Sequence, residues 1–250
     1  MEKIEGNLTK LLAVVLIAVI LGGSFIIATS IATKGFIDVK GSNSITVTGS
    51  AKQQIKSDLI VWRGSFTAQT PTMSEAYTKL KVDLNKVKSY LAGKGIKESS
   101  MVISSINTTP ITEITGNGVY TNNVVAYRMD QYIEISSSDV DGITKISREA
   151  TELINQGVEF QSQPPQYFYT KIADLKIKML AEATKDSKAR AEQIALNTGS
   201  QIGDLQSAKM GVFQITALYS NDVVDGGYND TSSIDKEITA VISCNFHLKK

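Results

Sequence analysis

The feature that most constrains this chain is an uncharged stretch near its N-terminus. Between Lys10 and Lys34 lie 23 residues without a charged side chain. A helix over residues 11–32 would be about 33 Å long, enough to cross a hydrocarbon core of roughly 30 Å. A helix also satisfies its own backbone hydrogen bonds, which lipid cannot do. We therefore predict one transmembrane helix at about residues 11–32, and the lipid bilayer is the first expected partner.

A cleaved signal peptide is the alternative interpretation of this segment. It would have a basic start, an apolar centre and small residues around Ala28–Ala32. The apolar stretch is long for a signal peptide, which favours a retained signal anchor. The lysines on the two sides nearly balance, so the positive-inside rule does not decide the orientation. Both interpretations export the rest of the chain. We predict a single-pass protein of the cell membrane with its C-terminal domain on the extracytoplasmic side.

The charge balance of the remaining chain limits its partners. We divide the chain into a cytoplasmic stub with the signal-anchor helix (1–34), a linker (35–42) and an extracytoplasmic domain (43–250). Of 26 basic and 25 acidic residues, three and two lie in residues 1–34, which leaves 23 of each beyond. This neutrality argues against a nucleic-acid partner, because phosphate binding needs a basic excess. The only cysteine is Cys244, so an intrachain disulfide is impossible.

Hydrophobic periodicity predicts an α+β fold for the exported region. Strands are expected at 45–49, 55–68, 101–114, around 125–135, at 158–160, at 167–169, at about 208–219 and at 238–248. A first helix starts at a Thr72–Glu75 capping box and stops at Gly93 and Gly95. Its apolar stripe, which we expect to face inward, consists of Met73, Tyr77, Leu80, Leu84, Val87 and Leu91. A second starts at Ser138, has Ile154 inward and ends at Gly157, and a third covers Lys171–Asn197 before Gly199. Helices packed on a largely antiparallel sheet of ββα-type repeats are the expected architecture.

Few residues in the sequence suggest chemistry. The only histidine is His247, which the alternation of the last strand places opposite the face of Cys244, so we predict no zinc site. We expect Cys244 to be buried and unreactive beside Ile242 and Phe246. Asp139 and Asp141 are assigned to a helix N-terminus. We predict no catalytic, cofactor-binding or metal-binding residues, and therefore no enzyme.

Two further segments have open interpretations. Asp222, Asp225 and Asp230 lie in the polar segment 220–234, which we expect to be a mobile, solvated acidic loop; weak calcium binding is the alternative. Tyr167, Phe168 and Tyr169 could form a binding face, or they could pack in the core or an interface.

Three stretches of the chain resemble the SIMPL-domain family. They are Ile45–Ala51, the helix from Glu75 to its glycine stop, and the alanine-rich helix 183–195 with Gly199 and Gly203 after it. The sequence departs from the family pattern at Ser187, where alanine is usual, and at Lys56-Ser57-Asp58, which lacks the usual proline. The resemblance covers about residues 43–248. It implies an envelope protein without established enzymatic activity, assembly into homo-oligomers in some members, and a loose link to stress tolerance.

From these observations we expect a membrane-anchored, non-catalytic envelope module that acts by self-association or by binding another protein, whose identity the sequence does not give. The alternatives are a soluble secreted form after signal cleavage and a carboxylate-dependent envelope hydrolase. A homo-oligomer is predicted because open sheet edges must be blunted or paired. Val158–Tyr169, which contains Pro164-Pro165 and exposed-looking aromatic residues, supports this prediction. The alternative is that the two prolines block pairing at this edge, and the sequence does not give the edges that form the interface.

Overall fold

A computed structural model of the chain describes residues 16–33, 43–220 and 222–249. Helix α1 (Leu16–Thr33) has a mean hydropathy of 2.2, and none of it is buried. It is long and apolar enough to cross a membrane, a test that a membrane anchor and a signal sequence both pass. The start of the predicted span and the linker 35–42 lie outside the described residues.

The described residues confirm the α+β class with largely antiparallel sheets. Short 3₁₀ segments cover Glu98–Ser100 and Ala150–Gln156. The helices after α1 are α2 (Met73–Gly93), α3 (Val140–Glu149) and α4 (Ile172–Asn197). The strands are β1 (Ser44–Lys56), β2 (Leu59–Thr70), β3 (Met101–Ile103), β4 (Asn107–Ile114), β5 (Tyr120–Ser137), β6 (Glu159–Ser162), β7 (Gln166–Phe168), β8 (Gln201–Met210), β9 (Gln214–Ala217), β10 (Tyr228–Asn229) and β11 (Asp235–Lys249).

The described chain forms two compact units. Unit 1 contains the described residues up to Gly49, Lys185–Lys209 and the chain from Ser243 on. Unit 2 contains Ser50–Thr184 and Met210–Ile242. One sheet has the strand order β1-β11-β9-β10, with β8 also paired to β11.

The second sheet, in unit 2, is built from two similar halves. Its central strands β2 and β5 pair antiparallel over their whole common length, from Ile60–Ser137 to Thr70–Tyr127. β3, which follows α2, pairs with β5, while β6, which follows α3, pairs with β2. The order β3-β5-β2-β6 with two crossing helices is the β-α-β-β-α-β arrangement of ferredoxin-like folds. Each half thus supplies the strand that lies beside the central strand of the other half.

Helix α2 begins and ends as its sequence predicts. The Thr72 side chain accepts a hydrogen bond from the Glu75 backbone N–H at 3.3 Å, which is the predicted cap. The helix ends at Gly93, and Gly95 has a φ of 88°. Leu80, Val87 and Leu91 are buried as expected. Met73 and Tyr77 were expected inward as well, but both are half exposed, and Ala76 occupies the buried position instead.

The core of unit 2 lies between the inner face of this sheet and its helices. Ile60, Trp62, Phe66, Ile133 and Ile135 line its sheet side and are fully or almost fully buried. A Cβ on Gly64 would lie 2.3 Å from the Phe160 ring, so only glycine permits this contact. The Trp62 indole N–H donates to the Ser162 hydroxyl at 3.0 Å, which satisfies its one polar atom.

Several predicted strand boundaries are wrong. The expected strand 55–68 is divided at Ser57-Asp58, because the Ser57 N–H bonds the Ile234 carbonyl outside the strand ladder. The expected strand 101–114 is divided at residues 104–106. The expected strand 208–219 is instead two strands, and the first begins at Gln201, directly after the Gly199 exit from α4. Ile154 was expected inward but is exposed on the 3₁₀ segment that extends α3.

Unit 1 contains the end of β11 and the second half of α4. Ala191, Ala195 and Ser187 of α4 are buried, as their small size allows. Ser187, where the family usually has alanine, donates its hydroxyl to the Val47 carbonyl at 3.0 Å. Cys244 is fully buried, as predicted.

Candidate functional site

The structure places the residues singled out for chemistry in structural roles. Asp139 caps α3, and its carboxylate accepts from the Gly142 N–H at 3.0 Å, as predicted. Asp141 lies in the first turn of the same helix, 3.5 Å from the Lys56 ammonium. His247 and Cys244 lie on opposite faces of β11, because they are an odd number of residues apart. In the part of the chain that the structure describes, no group of three or more His, Cys, Asp or Glu could hold a metal ion.

The segment 220–234 is solvent-exposed over much of its described length, as its composition predicts, but it contains a short strand and a buried aspartate. β10 lies inside it and pairs parallel with β9, Tyr228 opposite Gln214. Asp222 and Asp225 are exposed as expected, but Asp230 is only 3% exposed. Its carboxylate accepts from the Ser232 N–H at 2.9 Å, the Ser232 hydroxyl at 2.6 Å and the Ser233 N–H at 3.1 Å. These bonds close a tight turn, so Asp230 serves the backbone.

Lys236, beside this turn, is the most unusual residue in unit 2. It lies on the same face of β11 as Ile238 and Ala240 and is only 2% exposed. Its ammonium donates to the Tyr167 carbonyl at 2.8 Å and to the Asp230 carbonyl, and it lies 3.9 Å from the Asp230 carboxylate. Lys236 therefore joins β7, the turn at Asp230 and β11. We call this the Lys236–Asp230 pair.

Burial and hydrogen bonding shift both pKa values of the pair downward. Burial lowers the pKa of Lys236, and the charge of Asp230 offsets part of this effect. Burial raises the pKa of Asp230, but the hydrogen bonds from Ser232 and Ser233 and the charge of Lys236 outweigh it, so the net pKa is lowered. The pair is closed to solvent on all sides, which suits a structural connection rather than a site that a substrate must reach.

Tyr167 belongs to this region and settles one of the open alternatives. It is buried in the core, its N–H donates to the Thr231 carbonyl at 2.8 Å, and its hydroxyl lies 3.1 Å from that of Thr144. Phe160 is buried as well. The expectation that aromatic residues of Val158–Tyr169 are exposed for a contact is therefore wrong for these two. The segment lies at an edge of the sheet, because in the described strand pairings β6 and β7 have β2 as their sole partner.

Two shallow clefts of unit 2 contain polar side chains. One, of about 470 Å³, is lined by residues of β2, β5, β6 and the 3₁₀ segment, and Glu159 is its only carboxylate. The other, of about 440 Å³, lies along α2 and contains Glu75 and Asp83. Glu75 belongs to the α2 cap, and the buried Asp83 is 3.0 Å from the Lys79 ammonium. The carboxylates of the second cleft therefore already have structural partners.

The ribbon formed by β4 and the first part of β5 is an exposed apolar feature of unit 2. β5 pairs with β2 only from Tyr127 onward. In the described strand pairings, residues 120–126 have β4 as their sole partner, and β4 has only β5. We call 107–114 with 120–126 the β4–β5 ribbon. Gly118, with a φ of 79°, lies in the turn at its tip, where the Gly116-Asn117-Gly118 signal predicts it.

One face of the ribbon continues the buried face of the sheet. Thr108 lies opposite Met129, which is in the core, and residues 110, 112 and 114 follow on the same side of β4 by alternation. Register shifts after Ile111 and after Thr112 take up extra residues of β5. Thr112 pairs with Val124, and Ile114 pairs with Tyr120. Directly opposed residues share a face. We call Pro110, Thr112, Ile114, Tyr120 and Val124 the inner face of the ribbon.

The inner face is largely apolar, like a core surface, but its side chains are exposed to solvent. Tyr120 is 74% exposed and Ile114 is 53% exposed, whereas Ile133, further along β5, is fully buried. From Asn107 to Tyr127 the only charged residue is Glu113, which lies on the opposite face. A two-stranded ribbon of this kind is only marginally stable alone in water. The surface therefore has the features of a protein contact.

This α+β chain belongs to a protein family that comparison with known sequences identifies. The SIMPL family model, described as a protein of unknown function (DUF541), matches residues 45–244. This chain is therefore a member of the SIMPL family, as the resemblance predicts. Among curated proteins, none is significantly similar to it. The family and the apolar α1 are together compatible with an envelope module.

Sequence reasoning missed both notable features of unit 2. The alternation that places Ile238 and Ala240 inward also places Lys236 inward, so the signal for a buried lysine was present. The ribbon gave no such signal, because simple alternation back from Met129 and Tyr127 would place Val125 inward, whereas register shifts pair Val124 and Tyr120 with the inner-face residues of β4.

Proposed function

We propose that this chain is a non-catalytic module of the cell envelope, held in the membrane by α1 and acting by self-association or by binding another protein on the extracytoplasmic side. The observation that carries the proposal is the inner face of the β4–β5 ribbon. It is apolar, nearly uncharged and open to solvent, in a unit whose other apolar face is covered by helices. Such a surface is suited to a contact and has no group for chemistry.

Membrane anchoring is supported by α1, every residue of which is exposed. An exposed apolar helix of 18 residues is unfavourable in water and favourable in lipid. The test is fractionation of cells that express the full chain, followed by extraction with high salt and with alkaline carbonate. We expect the intact mass to include residues 1–33 and the protein to stay with the membranes. A soluble protein that begins near residue 33 would establish the cleaved form instead.

The side of the membrane is tested by protease added to intact cells or spheroplasts. Sites after residue 43 should be cut without lysis if the C-terminal region is extracytoplasmic. Protection of these sites until lysis would reverse the proposed orientation.

A further inference from the structure

We infer that the inner face of the β4–β5 ribbon is where two copies of this chain associate, with the two ribbons packed face to face. This inference rests on the proposed function and names its partner. Ile114, Tyr120 and Val124 of each copy would cover the same residues of the other, as a two-fold interface requires. Packed ribbon faces would lie about 10 Å apart, the spacing of stacked sheets.

Helix α2 enlarges this surface beside the base of the ribbon. Thr70, the last residue of β2, pairs with Tyr127, and α2 starts only three residues later at Met73. Three residues span at most about 10 Å, so the first turns of α2 lie near the ribbon. Met73 and Tyr77 are the two members of the predicted apolar stripe of α2 that remain exposed there. Their exposure, which the core of one copy does not explain, fits a second copy at this end of the sheet.

The size of the surface suits a pair of copies. The exposed apolar side chains of the inner face, with Met73 and Tyr77, offer on the order of 500 Å² per copy. A two-fold contact buries this area twice, which reaches the roughly 1,000 Å² needed for a specific interface. Glu113 is the only charged residue in the ribbon, and it lies on the opposite face. Packing the two inner faces therefore brings no like charges of the ribbons together.

A lipid surface is a poorer occupant of the ribbon. Residues 120–126 have no strand partner on the β2 side in the described pairings, so no strand ladder satisfies their backbone groups there. Hydrocarbon cannot satisfy open N–H and C=O groups, whereas water can reach them at the rim of a face-to-face contact. The ribbon also has no lysine or arginine to bind lipid phosphates.

Pairing along the free edge of β4 is opposed by Pro110. The Ser104 N–H donates to the Tyr132 carbonyl, so even-numbered residues of β5 direct their backbone groups toward β3 and β4. Tyr127, opposite Pro110, therefore directs its groups toward β2, and the nitrogen of Pro110 faces away from β5. A proline there removes a donor from the outer edge. The faces, rather than the edges, are the available contact.

The test compares two double variants of the full chain in detergent micelles. Tyr120→Lys with Val124→Lys places charges on the inner face. Thr109→Lys with Glu113→Lys places the same residue type on the opposite face of the same ribbon, at two exposed positions. Sedimentation equilibrium gives the dissociation constant of each, and thermal unfolding checks that both fold.

We expect the wild type and the opposite-face variant to form dimers with dissociation constants within a factor of about 3, and the inner-face variant to bind at least ~100-fold more weakly. Dimers that persist in the inner-face variant would overturn this inference and leave self-association standing. A monomeric wild type at all concentrations would overturn it as well. Neither result bears on membrane anchoring, which fractionation tests separately.

Discussion

Two regions of unit 2 reverse the usual relation between polarity and burial, in opposite directions. The start of β5 and its partner β4 carry apolar side chains that stay exposed, with Tyr120 at 74%. The turn before β11 and the start of β11 each carry one buried charged side chain, Asp230 at 3% and Lys236 at 2% exposed. In β11 strand alternation gives the correct face, and in the ribbon the strand pairing gives it, because register shifts interrupt the alternation of β5. The difference lies in what covers that face: none of the described residues covers the inner face of the ribbon, while backbone carbonyls and a carboxylate surround Lys236.

The largest expected effect is at the buried charge. Lys236→Ala leaves Asp230 buried without its cation and two backbone carbonyls without a donor. We expect the free energy of unfolding to fall by about 3–5 kcal/mol. Lys81→Ala, at an exposed position of α2, should change it by less than about 0.5 kcal/mol. Urea unfolding followed by the fluorescence of the single, buried Trp62 measures both. Equal effects of the two substitutions would show that Lys236 is not a structural connection.

The next largest effect on the free energy of unfolding is expected in the covered part of β5, which serves as the comparison for the ribbon. Ile133→Ala opens a cavity in the core and should lower the free energy of unfolding by about 2–5 kcal/mol. The same fluorescence titration applies. A loss under about 1 kcal/mol would mean that the helices do not pack tightly on this part of the sheet.

A double variant separates the charge interaction from the packing of the pair. Lys236→Met with Asp230→Asn removes both charges at once and keeps similar volumes. Its cost should be smaller than the sum of the single costs by about 1–3 kcal/mol, because each single change strands the other charge. Additive costs, within the error of the titrations, would show that the two side chains do not interact.

The pH dependence of stability gives a smaller and directional effect. Burial lowers the pKa of Lys236 below its ordinary value of 10.5 in the folded protein. Between the two pKa values the unfolded chain binds more protons, so the contribution of Lys236 to the free energy of unfolding increases as pH rises. The stability of the wild type relative to Lys236→Met should therefore increase as pH rises toward 10.5. Urea titrations across the alkaline range test this, and a relative loss with rising pH would contradict it.

The smallest expected effect on stability is in the ribbon. Val124→Ala removes two methyl groups from an exposed position and should change the free energy of unfolding of the monomer by less than about 0.5 kcal/mol. The measurement is made in the dilute, dissociated state. A loss comparable to that of Ile133→Ala would mean that the ribbon face is covered within one copy, which contradicts the comparison.

The sequence alone determined the elements that depend on local chemistry. The apolar stretch gives α1, the Thr72–Glu75 pair starts α2, and alternation gives the buried face of β11, including Cys244. These signals involve residues within a few positions of one another, so no distant contact is needed. The α+β class and the family follow from the order of these elements and from the motifs in them.

Only the tertiary structure decided which neighbours each face of a strand contacts. The break at Ser57-Asp58 depends on a hydrogen bond to Ile234, far along the chain. The burial of Lys236 depends on a carbonyl of β7, and the exposure of Tyr120 depends on β5 running past the end of β2. Periodicity gives the direction of a side chain but not the presence of a neighbour. Lys236 is buried because the backbone oxygens of Tyr167 and Asp230 accept its hydrogen bonds, and the inner face of the ribbon is exposed because no described helix covers it.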